Sequence, residues 1–323
     1  MNKPSLSEMI PTNVLESASQ LSAKLDRPGT NDRISDALNN TVLQGGKKIR
    51  PVLTFLMGDF FRVANDELVP YARAIEMVHA ATLAHDDVID EAEVRRERPS
   101  LNKLTTNTKA VLAGDYLLAE VMKEMVALGN LRIIAELSQI ISDLVEGEWL
   151  QIENKSRSNL TREDVERVAL CKTGSVLRWC CIVPALLRDH PPEIVELTGR
   201  LGETLGVAFQ LADDLLDFKR EDPARLADLR NGVISAVIYE VLHIQMAQEQ
   251  EGININDRQS FLYTPDQLDK GMGRVYQRLT NLLDDCRQMI HQLDSLLENE
   301  DPDHQRAALK SVMGFIRYLE TRI

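Results

Sequence analysis

Two short stretches place acidic side chains among apolar neighbours, where they are costly. HDDVIDEAEVRR (His85–Arg96) and DDLLD (Asp213–Asp217) each hold two adjacent aspartates, two apolar residues and a third aspartate. On a helix, residues four apart differ by about 40° in azimuth and ~6 Å in height. Asp86 and Asp90 therefore share a face, as do Asp213 and Asp217, with Asp87 or Asp214 alongside. Carboxylates so arranged repel one another and resist desolvation, and a cation resolves both problems. Oxygen-only donors suit Mg²⁺, which keeps waters and is commonly shared between carboxylates and substrate phosphates. One such cluster alone reads equally well as a solvated acidic face, and that is the reading for Asp284 and Asp285. Two copies inside apolar stretches point to metal binding.

A metal-bound phosphate needs basic partners as well. Arg95 and Arg96 follow the first cluster, GGKKIRP (Gly45–Pro51) precedes it, and Lys172 and Thr173 lie between the clusters in LCKTGSV. Gly45 and Gly46 let the backbone approach an anion that Lys47 and Arg50 can grip. Each alone reads as an ordinary basic turn or surface charge. Together they form a second anion site beside a metal-bridged one.

The elements that must position these groups are helical. Apolar residues recur at three and four positions in YARAIEMVHAATLAHDDVID, in Ala110–Leu128, in Arg132–Glu153 and in Arg162–Cys180. DRPGTND (26–32), RERPS (96–100), RDHPPE (188–193) and REDP (220–223) interrupt them. Thr161, followed by Glu163 and Asp164, marks a helix start. Aromatic residues make up only 5% and alternating β-branched runs are scarce, so the expectation is one all-α domain over 1–323. Several helices are apolar over most of their circumference and belong at its centre. Hydrophobic content of 44% and charged content of 27% describe a globular chain, and a net charge of −13 disfavours nucleic acid as a partner. Cys171, Cys180, Cys181 and Cys286 lack metal-ligand spacing and read as reduced core residues. The N-terminal residues lack a signal-peptide pattern and no apolar run approaches the ~20 residues of a membrane span, so a cytoplasmic location is expected.

The ordered set GGKKIRP, EMVHAATLAHDDVIDEAEVRR, AVLAGDYLL, VEGEWLQ, KTG and FQLADDLLDF resembles the trans-isoprenyl diphosphate synthases, chain-elongating prenyltransferases of isoprenoid biosynthesis. The resemblance runs from Gly45 to about Tyr239. It implies an isoprenoid synthase fold, a helical bundle around a deep apolar cavity, usually as a homodimer. It also implies three Mg²⁺ ions on an allylic diphosphate, whose ionisation gives a cation that alkylates isopentenyl diphosphate. Carried over by position, Asp86, Asp90 and Asp213 are metal ligands, supported by Asp87, Asp214 and Asp217. Arg95 and Lys172 match positions that grip the allylic diphosphate, assisted by Thr173 and Gln210, while Phe209 lines the prenyl pocket. Gly46, Lys47, Arg50, His79 and Arg96 match the isopentenyl diphosphate site. Ala81 and Thr82 occupy the family's chain-length floor, and because both are small the expected products are C20 or longer.

After DDLLDF the chain departs from the family. The family's loop is shortened here and its Gly-Lys is absent, Val233 stands in a second lysine's place, Ser235 replaces threonine and Val237 proline. Glu97 replaces the glycine after the double arginine, and Lys219, Arg220 or Arg225 are the nearest substitutes for the lost cations. Losing a charge-assisted bond to phosphate costs roughly 1.5–3 kcal/mol. Two further readings therefore stand beside an active synthase. One is a weakly active or regulatory subunit of a heteromeric synthase. The other is a terpene cyclase using the same metal trigger, against which the intact GGKKIRP argues.

Overall fold

The three-and-four spacing becomes a succession of helices in the computed structural model, which describes residues 6–25, 32–46, 48–95, 98–157, 159–219, 233–248, 263–297 and 301–323. In chain order these are α1 (Leu6–Met9), α2 (Thr12–Gln20), α3 (Asp32–Asn39), α4 (Ile49–Phe60), α5 (Asn65–Ile89), α6 (Leu101–Leu104), α7 (Asn107–Leu128), α8 (Leu131–Asn154) and α9 (Arg162–Ala169). A π-helical turn, Leu170–Gly174, leads into α10 (Ser175–Leu187), α11 (Pro192–Lys219), α12 (Ala236–Gln248), α13 (Pro265–Leu296) and α14 (Pro302–Thr321). The described strands are β1 (Val94–Arg95) and β2 (Arg98–Pro99), an antiparallel pair with Arg95 opposite Arg98. The chain is all-α, as its pattern predicts. Two compact units emerge, one from Thr12–Ile141 with Val183–His190, the other from Met1–Pro11, Ser142–Ile182 and Pro191–Ile323.

In the first unit, α5 packs against α4 and α7. Its face of Ala72, Ile75, Val78 and Ala81 is fully buried, and the small alanines let the helices approach closely. A buried ion pair joins α5 to α7: Arg73 Nη1 donates to Glu124 Oε1 at 2.7 Å, and Nη2 donates to the Lys24 carbonyl at 2.7 Å. Such a pair is tolerated in a core when further hydrogen bonds occupy its remaining donors.

In the second unit, α11 packs against α13, α14 and the π-helical turn. α9 starts after Thr161, as the sequence predicts, and Thr161 and Asp164 form a reciprocal capping box there. A Cβ on Gly206 would lie 2.4 Å from the Gly174 Cα, so only glycine permits this crossing of α11 over the π-helical turn. All four cysteines are free and buried. Among the described residues one stretch, Arg162–Leu187, is long and apolar enough to cross a membrane, but 72% of its most apolar part is buried, as in a core helix.

Candidate active site

The first aspartate cluster sits at the C-terminal end of α5. Asp86 is half-buried, Asp87 is fully buried and Asp90 is exposed just past the last helical residue. Asp90 is thus the helix cap rather than an interior residue. Its N–H donates to the Asp86 carbonyl at 2.8 Å, which keeps the helical spacing between the two carboxylates. Three acids here face the negative end of the helix dipole, and the last turn of α5 holds no basic residue. The compensating cation comes from the β1–β2 pair. Glu91, with φ 52°, reverses the chain, and Arg95 returns to donate from Nε to Asp87 Oδ1 at 2.6 Å. Burial pushes the Asp87 carboxyl above the usual carboxylate range, and the Arg95 guanidinium opposes that shift. Asp87 Oδ2 is buried with no hydrogen-bond partner among the described residues.

A cavity of about 310 Å³ opens beside this carboxylate, with Gly45, Gly46, Arg95 and Arg98 on its polar side and Leu83 and Leu101 on its apolar side. Gly45 (φ 74°) and Gly46 (φ 92°) take left-handed backbone, which a side chain would oppose. The loop is tied at both ends. Arg98 Nη1 donates to Gln44 Oε1 at 2.5 Å, while Lys48 Nζ and Arg50 Nη1 approach the Glu76 carboxylate at 3.7 and 3.5 Å. His79, one turn beyond Glu76, is half-buried, and its carbonyl accepts a bond from Thr82 Oγ1 at 2.9 Å. Ala81 is buried and Thr82 half-buried. Arg95 and Gly46, which the resemblance assigns to different diphosphates, line one cavity. Lys47, Arg96, Glu97, Arg220 and Arg225 lie outside the described residues.

The second cluster lies on α11. Asp213 is half-buried, Asp214 buried and Asp217 exposed. Asp214 Oδ1 accepts from Gln210 Nε2 at 2.9 Å, and Oδ2 accepts from the Ala236 N–H at 2.8 Å, which fastens the start of α12 to α11. Burial raises its pKa to about 6 against the pull of these two donors. Gln210 Oε1 accepts from Thr173 Oγ1 at 3.1 Å, so the network reaches the π-helical turn. Lys172, on that turn, donates to Glu148 and, at 3.2 Å, to Gln151 Oε1. Insertion of a π turn into a helix re-aims side chains and is frequent at functional sites. Asp213 Oδ1 accepts from Arg322 Nη2 at 2.5 Å, and the same guanidinium lies 4.5 Å from the centre of the Phe209 ring.

Sequence reasoning overlooked Glu76, Arg98, Glu148, Gln151 and Arg322. Glu76, Glu148 and Gln151 fall within the motifs that carry the resemblance; nothing in the local spacing marks Arg322. Among the described residues no three Asp, Glu, His or Cys side chains converge into a ready-made metal cage. Mg²⁺ rarely needs one, because one or two carboxylates, waters and substrate phosphates complete its shell. The outward carboxylates of both clusters and the unpartnered Asp87 Oδ2 suit that mode of binding.

Residues 31–261 match the family described as Polyprenyl synthetase. Octaprenyl diphosphate synthase of Escherichia coli (strain K12) is 33% identical over 218 residues, 64% of this chain and 67% of that protein. Heptaprenyl diphosphate synthase component 2 of Geobacillus stearothermophilus is 34% identical over 211 residues, 64% of this chain and 66% of that one. The crystal structure of a decaprenyl diphosphate synthase from Rhodobacter capsulatus superposes with a TM-score of 0.75 at 25% identity, covering 96% of both chains.

Proposed function

This chain belongs to the polyprenyl synthetase family, and on that premise we propose that it is a Mg²⁺-dependent trans-polyprenyl diphosphate synthase. It adds isopentenyl diphosphate to an allylic diphosphate and makes products of C20 or longer. One observation carries the reading: Asp87, which keeps a buried oxygen without a hydrogen-bond partner among the described residues, lines one cavity with Arg95 and the left-handed Gly45–Gly46 backbone. An acid able to take a cation thus stands beside donors able to take a phosphate.

Bound Mg²⁺, three ions by resemblance, supplies Lewis-acid neutralisation and orientation of the leaving diphosphate. Asp86, Asp90 and Asp213 are the ligands in this reading, with Asp87, Asp214 and Asp217 behind them. Arg95 and Lys172 grip the allylic diphosphate, and Thr173 and Gln210 hold their neighbours in register. Gly46, Lys47, Arg50, His79 and Arg96 bind isopentenyl diphosphate. Phe209 borders the prenyl chain in this reading, and dry apolar surroundings along that chain leave the allylic cation uncaptured by water. Ala81 and Thr82, being small, let that chain grow past the first turn below Asp86.

The chain acts as one catalytic domain over 1–323, in the cytoplasm and as a homodimer. Val145, Trp149 and Ile152, 64%, 65% and 45% exposed at helical spacing on α8, form an apolar row suited to a second copy.

The test incubates purified protein with Mg²⁺, isopentenyl diphosphate and C5, C10, C15 or C20 allylic primers, and sizes the products. Elongation of no primer sinks the proposal. A second reading, a subunit active only with a partner, draws on Asp214, which is held by amide donors rather than by a basic side chain. Activity restored solely by a partner chain supports it. Replacing Ala81 and Thr82 by Phe shortens the product; an unchanged length rejects the floor.

A further inference from the structure

The second cluster carries a cation of its own. α14 ends at Thr321, and Arg322 continues with φ −61° and ψ −29°, its N–H bonded to the Tyr318 carbonyl. Its side chain reaches Asp213 Oδ1 at 2.5 Å, and its guanidinium carbon lies 4.5 Å from the Phe209 ring centre and 5.8 Å from that of Tyr318. Only 11% of the Arg322 side chain is exposed, against 35% for Asp213. This is unlike a solvated surface pair, whose two long side chains wander. Two aromatic faces flank the guanidinium, and they fix the fork that meets the carboxylate. Phe209 and Asp213 stand one turn apart on α11, so a single arginine covers the ring and neutralises the acid. Meanwhile both Asp214 oxygens are already taken by Gln210 and Ala236. A cation that takes Asp213 Oδ1 therefore displaces Arg322 from it.

We propose that Arg322 is a positioning residue, a built-in counter-ion that holds Asp213 in the metal-free protein and must leave Oδ1 before that oxygen can ligate Mg²⁺. The inference rests on the reading of Asp213 as a metal ligand. Two consequences follow from the geometry. The pair keeps the Asp213 carboxylate oriented against repulsion from its acidic neighbours. It also lowers the apparent metal affinity by the fraction of time the pair is closed, since only the open form binds. Metal entry is thereby linked to the end of α14, which gives up one of its anchors when Arg322 lets go.

The experiment is calorimetric titration of the protein with Mg²⁺ in the presence of inorganic diphosphate. For Arg322→Gln, removal of the competitor tightens the apparent Mg²⁺ affinity about fivefold. Arg322→Lys, which keeps the charge, stays near wild type. A merely structural arginine predicts the opposite, weaker binding on substitution. Asp213→Asn separates the two layers of the argument. If it loses affinity while Arg322→Gln is unchanged or weaker, the counter-ion role falls and the ligand role stands. If neither variant changes, Asp213 is not a ligand and the proposal falls with that reading. Hydrogen exchange on the unmodified protein supplies the second measurement. Mg²⁺ with diphosphate raises exchange at the Arg322 amide, and unchanged or slower exchange there overturns the release step.

Discussion

The two aspartate clusters share a spacing and differ in how their middle carboxylate is kept in the core. Asp87 is held by a basic side chain, Arg95, eight residues away, and keeps one oxygen with no partner among the described residues. Asp214 is held by a side-chain amide and a backbone N–H, and both of its oxygens are occupied. The counter-charge of the second cluster sits instead on Asp213 and comes from Arg322, 109 residues away. The motif thus dictates where the carboxylates point but leaves the source of their compensation open. A short hairpin can deliver the cation locally, or a helix remote in sequence can supply it.

The largest expected effect tests the outward acids, which the comparison treats as equivalent. Asp86→Ala and Asp213→Ala each lower turnover with isopentenyl diphosphate and primer by about 10³-fold, the scale of removing a group that stabilises transition-state charge. Thermal unfolding of Asp86→Ala stays within a few degrees, because that residue is only half-buried, whereas Asp213→Ala also strands the Arg322 guanidinium and unfolds earlier. Near-normal turnover in either variant ends its metal role. A large difference between them breaks the equivalence.

The middle acids should separate in stability. Arg95→Gln strands the buried Asp87 charge and costs about 3 kcal/mol in metal-free unfolding. Gln210→Ala removes one neutral donor from Asp214 and costs about 1 kcal/mol. Denaturant unfolding of both variants reads the contrast directly; equal losses mean that the amide-held and arginine-held acids are the same device after all.

Asp214 also gives a pH signature. Its folded pKa of about 6 lies above its ordinary value of 3.8. The folded state therefore binds the proton more tightly than the unfolded state does. Stability from this group is present at low pH and is lost as pH rises from about 4 through about 6. Measured against Asp214→Asn, the metal-free wild type should lose about 2 kcal/mol across that window. A flat difference between the two proteins would show that Asp214 stays ionised in the core.

Much of this was legible in the sequence. The helical period gave α7 and α8 nearly to their ends and α5 from Tyr71 onward, and Thr161 with the acids after it announced the start of α9. What escaped has common physical causes. The π-helical turn under Lys172 interrupts one continuous apolar pattern, and a one-residue insertion barely disturbs a 3.6 period. Arg95's return to Asp87 depends on the left-handed Glu91, a residue type that carries no turn signal. The swap of threonine for Ser235 reads as an erosion, yet Ser235 Oγ accepts the Ile238 N–H at 3.4 Å at the start of α12. Arg322 is invisible to local spacing because tertiary packing alone brings it to Asp213.

The smallest expected effect sharpens the first cluster further. Lys48 has left-handed backbone (φ 52°) and no side-chain cap for α4, so the loop that carries Gly45 and Gly46 gains little order from itself. Glu76 supplies that order from α5, with only 11% of its side chain exposed between Lys48 and Arg50. The distances of 3.7 and 3.5 Å describe ion pairing more than strong hydrogen bonds, and a modest contribution follows. Glu76→Gln keeps the shape and removes the charge. The KM for isopentenyl diphosphate should rise about threefold, while kcat and the primer KM hold, because a part-exposed pair is worth well under 1 kcal/mol. A fall in that KM would recast Glu76 as an anion that competes with the diphosphate for Arg50. An equal loss against both substrates would make the loop a general support. Only the selective rise identifies the carboxylate as the anchor that presents the basic loop to its phosphate.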